Sequence, residues 1–159
     1  MGRLKTRTVL AAVVAALVVV PAQASGAIVV QKGIGGVTLG MSKTKVRNKL
    51  GSPTRTRTGK NEFGTYTVFV YPRVRVTFQG GAAATAVETT SKQERTRSGV
   101  GVGSTTATVK AKIAGIKCEF GGGGSGHCYL GTFNPGRRVT DFFISKGRVW
   151  RVVVGFVID

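Results

Sequence analysis

Residues 37–51, VTLGMSKTKVRNKLG, come back 63 positions later in residues 100–115, VGVGSTTATVKAKIAG. With Gly40 set on Gly103, Val37 meets Val100, Leu39 meets Val102, Ser42 meets Thr105, Val46 meets Val109, Arg47 meets Lys110, Lys49 meets Lys112 and Leu50 meets Ile113. Apolar, small, capping and basic positions all correspond, so one local structure is expected to be used twice. In each copy a Ser or Thr supplies a helix N-cap, two apolar residues at i and i+4 make one edge, and Gly51 or Gly115 stops the helix. Met41 can staple onto Val46, and Pro53 bars continuation of the first helix. A helix of about two turns is marginal in water, so each must lay its apolar edge on something larger.

That larger element is a sheet. Residues 65–71, TYTVFVY, are β-branched and aromatic, and after Pro72 the apolar Val74, Val76 and Phe78 alternate with Arg73, Arg75 and Thr77. Gln79-Gly80-Gly81 predicts a tight turn, with residues 82–90 as the return strand. The second half replays the order. The segment after Gly115, including residues 128–133, takes the place of the first strand, and Asn134-Pro135-Gly136 turns the chain. Residues 139–144 and 148–158 are strands joined by Ser145-Lys146-Gly147. The last of these is apolar on both faces, with Trp150, Val152, Val154, Phe156 and Ile158 expected on one side, which predicts a central position.

The resulting expectation is an α+β fold: two tandem repeats of a short helix followed by about three antiparallel strands, with the helices packed on one face of the sheet. Its divisions are a signal peptide at 1–24, a Gly-rich lead-in at 25–36, a first repeat at 37–90, a polar linker at 91–98 and a second repeat at 99–159 containing the loop 118–128. The small-residue entry, the glycine followed by a capping Ser or Thr, and the Val/Leu-bearing helix ended by glycine resemble the β-lactamase inhibitor protein fold and the related small lipoproteins of outer-membrane barrel assembly. The resemblance implies a non-enzymatic, extracytoplasmic binding protein. The chain departs from both groups: it lacks the lipidation cysteine of the lipoproteins and has no acidic loop suited to an enzyme pocket, so no contact residue is carried over.

Arg3, Lys5 and Arg7 precede a run of twelve apolar residues, 9–20, and Ala22-Gln23-Ala24 offers small residues where a signal peptidase reads. Cleavage is expected before Ser25, and the protein is expected to be secreted or extracytoplasmic. As a helix the run rises about 18 Å, short of a hydrocarbon core of about 30 Å, which disfavours a permanent anchor.

Lys and Arg number 24 against six Asp and Glu, a net charge of +18. Outside the cytoplasm such a charge selects anionic cell-envelope polymers or acidic protein surfaces, and export argues against a nucleic-acid partner. The candidate polyanion-binding residues are Arg73, Arg75, Arg137, Arg138, Arg148 and Arg151. A nucleic-acid alternative would use Tyr66, Phe69 and Tyr71 with Arg73 and Arg75 as a stacking surface.

Two cysteines in an exported chain predict a disulfide between Cys118 and Cys128. With His127 they could instead offer three zinc ligands, but the usual short ligand spacings are missing, and no metal is expected. A Ser125/His127/Asp141 triad can be written, yet Ser125 sits in a glycine run without a nucleophile-elbow context, so no enzyme is expected. The glycines at 33–36 and 99–103 lack the spacing and phosphate clamp of a nucleotide loop and read as turns into the helices, and no cofactor is expected. The function these readings favour is a secreted, non-catalytic binding module for an anionic envelope polymer or an acidic protein surface. The alternative is a proteinaceous inhibitor of a secreted hydrolase such as a β-lactamase.

Overall fold

Each helix begins where a glycine in the left-handed region turns the chain onto a capping hydroxyl. Gly40 has φ 84° and Gly103 φ 90°, and the two caps, Ser42 (φ −69°, ψ 156°) and Thr105 (φ −73°, ψ 156°), are almost superposable in backbone angles. Ser42 Oγ accepts from the Lys45 N–H at 3.3 Å and Thr105 Oγ1 from the Thr108 N–H at 3.1 Å. The helices are α1 (Lys43–Leu50) and α2 (Thr106–Lys112). Each entry also hooks onto the sheet or its connections: the Gly40 N–H donates to the Ala84 carbonyl at 2.8 Å, and the Gly103 N–H donates to the Val149 carbonyl at 2.7 Å.

A computed structural model describes residues 27–158; the expected signal segment, 1–24, lies outside the described residues. Before α1 come three two-residue strands, β1 (Ile28–Val29), β2 (Gly33–Ile34) and β3 (Val37–Thr38), which pair as a small antiparallel sheet. After α1 come β4 (Arg55–Asn61), β5 (Gly64–Val70), β6 (Arg75–Gln79) and β7 (Ala86–Thr89), and after α2 come β8 (Lys117–Phe120), β9 (Gly126–Leu130), β10 (Arg138–Ser145) and β11 (Arg148–Phe156). These eight strands form one antiparallel sheet in the order β4-β5-β6-β7-β11-β10-β9-β8. From either edge to the centre the strands run in chain order, and the last strand of each half meets the other there, with Val87 opposite Val154.

One face of this sheet makes the core. Phe69 faces Val76, Val76 faces Val87, Val87 faces Val154, and farther along Val152 faces Phe142 and Phe142 faces Cys128. All are essentially inaccessible, as are Val46 of α1 and Val109 of α2, which join the same cluster. Burying each such Val contributes about 1.5 to 3 kcal/mol, far more than two helical turns can supply from their own hydrogen bonds. Phe69 and Phe78 meet edge to face at 4.9 Å between centroids, and the Arg47 guanidinium lies 4.6 Å over Phe69, which sets α1 against this face.

Two expectations are corrected, the strand count and the alternation of β11, and two segments pack more closely than their composition suggests. Each half has four strands after its helix, because β4 (RTRTGKN) and β8 (KCEF) form although neither carries an apolar alternation. They are the two edges of the sheet, where pairing with one neighbour suffices. From residue 27 on the lead-in forms β1 and β2, and Ile28 and Ile34 are buried in the core.

The polar stretch 91–98 links β7 to α2 as a packed segment. Glu94 is 1% exposed and Thr96 is buried, Arg95 accepts at its carbonyl from the Ile28 N–H at 3.0 Å, and the Thr96 N–H donates to the Val100 carbonyl at 2.7 Å. A Cβ on Gly101 would stand 2.4 Å from the Glu94 carbonyl oxygen, so the backbones approach there as only glycine allows. Finally, β11 does not keep strict alternation. The register with β10 shifts between Phe143 and Ile144, pairing Phe143 with Arg151 and Ile144 with Val149. Trp150 is the extra residue of this bulge, so Val149, not Trp150, joins the core with Val152 and Val154.

Candidate functional site

Among the described residues no helix covers the other face of the sheet with a buried side chain, and polar and aromatic groups collect on it. Register places Tyr66, Val68 and Val70 of β5, Arg75 and Thr77 of β6, Glu88 of β7, Arg151 and Val153 of β11, Asp141 and Phe143 of β10, and His127 and Tyr129 of β9 on this side. The site therefore spans both halves and exists only because β7 pairs with β11.

At its middle, Glu88 lies between two arginines. Arg75 Nε is bonded to Glu88 Oε1, and Arg151 Nη1 stands 3.8 Å from Glu88 Oε2. The Arg151 guanidinium lies 4.1 Å over the Phe143 ring and 4.7 Å over Trp150, and its buried Nε has no hydrogen-bond partner. One carboxylate thus faces two cations, one of them held flat against aromatic rings and with donor capacity unused.

Beside it is a titratable cluster. His127 Nδ1 is 2.9 Å from Asp141 Oδ2 and 3.1 Å from Oδ1, while His127 Nε2 is 3.7 Å from Glu119 Oε2. The Tyr129 hydroxyl donates to Glu119 Oε1 at 2.6 Å. Burial pushes the His127 ring down, but the hydrogen bond and charge of Asp141, with Glu119 behind them, outweigh it and leave the His127 pKa raised. Burial raises Asp141, which His127 and Arg151 offset only in part. The Tyr129 hydroxyl holds Glu119 below the usual carboxylate range.

A raised histidine stabilises the fold fully below its unfolded value of about 6.5, and that contribution is lost as pH rises through the folded value. The stability advantage of the protein over His127→Asn, whose amide keeps a donor toward Asp141, is expected to be larger at about pH 5.5 than at about pH 8. Denaturant midpoints at the two pH values measure it, and an advantage that grows toward the alkaline side contradicts the assignment.

The six arginines expected to form one patch are distributed over several places. Arg75 and Arg151 meet at Glu88 on the open face. Arg73 sits at its rim, with Nε 3.3 Å from the buried Glu94. Arg137 and Arg138 join Lys32 around a separate cavity of about 600 Å³ between β1–β2 and the 131–138 connection. Arg148 Nη1 donates to the Gly103 carbonyl at 3.0 Å, holding the entry to α2. Adjacent positions on a strand point to opposite faces and its two ends lie far apart, so closeness in sequence does not gather charges into one patch.

The disulfide joins Cys118 and Cys128 as directly opposed residues of β8 and β9, with Cα atoms 4.0 Å apart. Both sulfurs are thereby used, which removes the zinc alternative built on them. The proposed triad is half assembled: His127 and Asp141 are bonded, but among the described residues His127 contacts Glu119 as its other polar neighbour, not Ser125. The stacking surface read for nucleic acid is also dispersed, because Phe69 and Tyr71 are buried in the core and only Tyr66 of the three reaches the open face. Sequence reasoning missed Trp150, Phe143, Glu88, Glu119 and also Phe133, whose ring stands 4.7 Å from Tyr129 and 5.8 Å from His127, centroid to centroid. The alternation of Asp141 with Phe143, and of His127 with Tyr129, was the one available signal.

No family model matches the chain, and no curated protein matches it. Among solved structures, the fold is similar to an extracellular protein containing a SCP domain from Bacillus anthracis, at 11% identity and a TM-score of 0.49 over 74% of this chain and 44% of that one. The chain therefore spans less than half the length of that protein. It is also similar to a DUF4309 family protein, YjgB, from Bacillus subtilis, at 14% identity and a TM-score of 0.45, covering 82% of this chain and 88% of that one. Among the described residues, no helix is long and apolar enough to cross a membrane, and no group of three or more His, Cys, Asp or Glu is placed to hold a metal ion.

Proposed function

We propose that the protein is a secreted, non-catalytic binding module that holds an anionic polymer of the cell envelope on the open face of its sheet. The observation that carries this reading is the pair Arg75 and Arg151, two cations from different halves on either side of Glu88, on the sheet face opposite the two helices, in a chain of net charge +18. The Lys32, Arg137 and Arg138 cavity adds a second cationic surface at one end of the molecule. A polymer suits this arrangement better than a small anion, because the Arg75–Arg151 pair and the Lys32, Arg137 and Arg138 cavity are separate cationic surfaces.

We also read the two halves as copies of one helix-plus-four-strand unit. Support comes from the matched glycine and cap angles at Gly40–Ser42 and Gly103–Thr105 and from the mirrored strand order about the β7–β11 pair.

Binding of the secreted chain to inorganic polyphosphate and to polygalacturonate, followed at low and high salt, tests the function. Affinity for at least one of them is expected to fall by about tenfold or more between about 50 and 500 mM salt. Arg75→Gln is expected to weaken binding and to flatten the salt dependence. Salt-independent binding, or none at low salt, refutes the electrostatic reading.

A further inference from the structure

We infer that the polymer is an acidic polysaccharide, and that its sugar rings seat on an aromatic row beside the Arg75–Arg151 pair. This rests on the anionic-polymer reading above and names its chemical class. The row crosses three neighbouring strands. Trp150 lies 6.2 Å from Phe143, Phe143 lies 6.2 Å from His127, and His127 lies 5.8 Å from Phe133, centroid to centroid. The His127 ring is inclined by 32° and 33° to Phe143 and Phe133, and Trp150 by 59° to Phe143, so the row is a series of tilted rings. At the two ends Trp150 is 46% exposed and Phe133 49% exposed, large apolar surfaces that folding leaves wet.

Between Phe133 and Phe143 the face opens into a cavity of about 160 Å³, floored by Val139, Val153 and Gly155 and walled by the Asp141 carboxylate. A cavity of about 150 Å³ is known to take one six-membered ring. An apolar floor with one carboxylate on its wall asks for a ligand that is apolar on its ring face and carries hydroxyl donors on its edge. A pyranose has that form: its C–H faces pack on aromatic rings while its hydroxyls donate to carboxylates. Asp141 already accepts from His127, but a carboxylate has further lone pairs to offer.

Charge decides between polymers. A polyphosphate or nucleic-acid strand laid along the row would bring phosphates onto the shielded Asp141 and the exposed Glu119, with few or no hydroxyl donors to offset the repulsion. A polysaccharide brings hydroxyls to those two carboxylates and can direct an acidic substituent to Arg151, which lies against the same Phe143 ring and has unused donor capacity.

Trp150 is the chain's one tryptophan, so its emission reports on the row directly. Titration of the secreted chain with polygalacturonate and with inorganic polyphosphate of matched charge, at low salt, is expected to shift Trp150 emission with the first and not the second. Phe133→Ala, an exposed loop change that leaves the core intact, is expected to weaken polygalacturonate binding about tenfold and polyphosphate binding not at all. Trp150→Leu, followed by calorimetry, is expected to act in the same direction. If both polymers bind equally, emission stays unchanged and Phe133→Ala has no effect, the polysaccharide inference falls while the anionic-polymer reading stands. If neither polymer binds at low salt, both fall.

Discussion

Phe142→Ala is expected to cost about 3 to 5 kcal/mol of stability, among the largest effects a side-chain truncation on the sheet should produce. Phe142 has no accessible surface and sits on the core face of β10, opposite Val152 on one side and Cys128 on the other. Its removal leaves a void bounded by two strands that cannot close on it without breaking register, so the transfer loss and the cavity loss add. The adjacent Phe143 points to the open face and is half-buried, so Phe143→Ala should cost less than half as much while weakening the seat of Arg151. Denaturant midpoints at unchanged m-value give both numbers. A Phe143→Ala cost larger than that of Phe142→Ala would mean that the two faces of β10 are assigned the wrong way round.

Replacement of both cysteines by alanine is expected to remove about 2 to 3 kcal/mol, the loop-entropy figure for a crosslink ten residues apart. The loss should not be uniform. β8 is a four-residue edge strand whose partner is β9 alone, and the chain between them carries glycines in left-handed conformation at Gly123 and Gly124. Without the crosslink that connection regains the large backbone freedom of glycine, and β8 is the element that should detach first. Amide exchange is therefore expected to lose protection in β8 well before β10 and β11. Since Glu119 lies on β8, detachment also takes its carboxylate away from Tyr129 and His127. The double variant should then lose part of the elevation of the His127 pKa, which a proton-resonance titration reads. A double variant as stable as the parent, with β8 still protected, would show the crosslink to be dispensable.

Local features were legible from residues near one another in the chain. Ser42 and Thr105 cap their helices through bonds to amides three positions on, and Gly40 and Gly103 turn the chain just before them, so a 15-residue window contains the whole cause. The strands with apolar alternation, β5, β6, β10 and β11, were legible for the same reason, as was the pairing of the only two cysteines. The edge strands were not. Nothing in RTRTGKN or KCEF asks for burial, and both are strands because a neighbour offers them a ladder of hydrogen bonds.

The candidate site was less legible still, because every contact in it joins residues of different strands. Arg75 and Arg151 are 76 positions apart and meet only through the β7–β11 pairing that brings Glu88 between them. Trp150 changed sides because of one bulged residue: an antiparallel strand repeats every two residues, so a single insertion moves the residues beyond it to the opposite face. By itself the sequence determined two capped helix entries, an alternation that demanded a half-buried sheet, a crosslink and a strongly cationic surface. Tertiary structure alone decided which strands became neighbours, and with that which charges and rings share a face. Caps and alternation depend on contacts within a few residues, whereas pairing and register are chosen by burying the whole core at once.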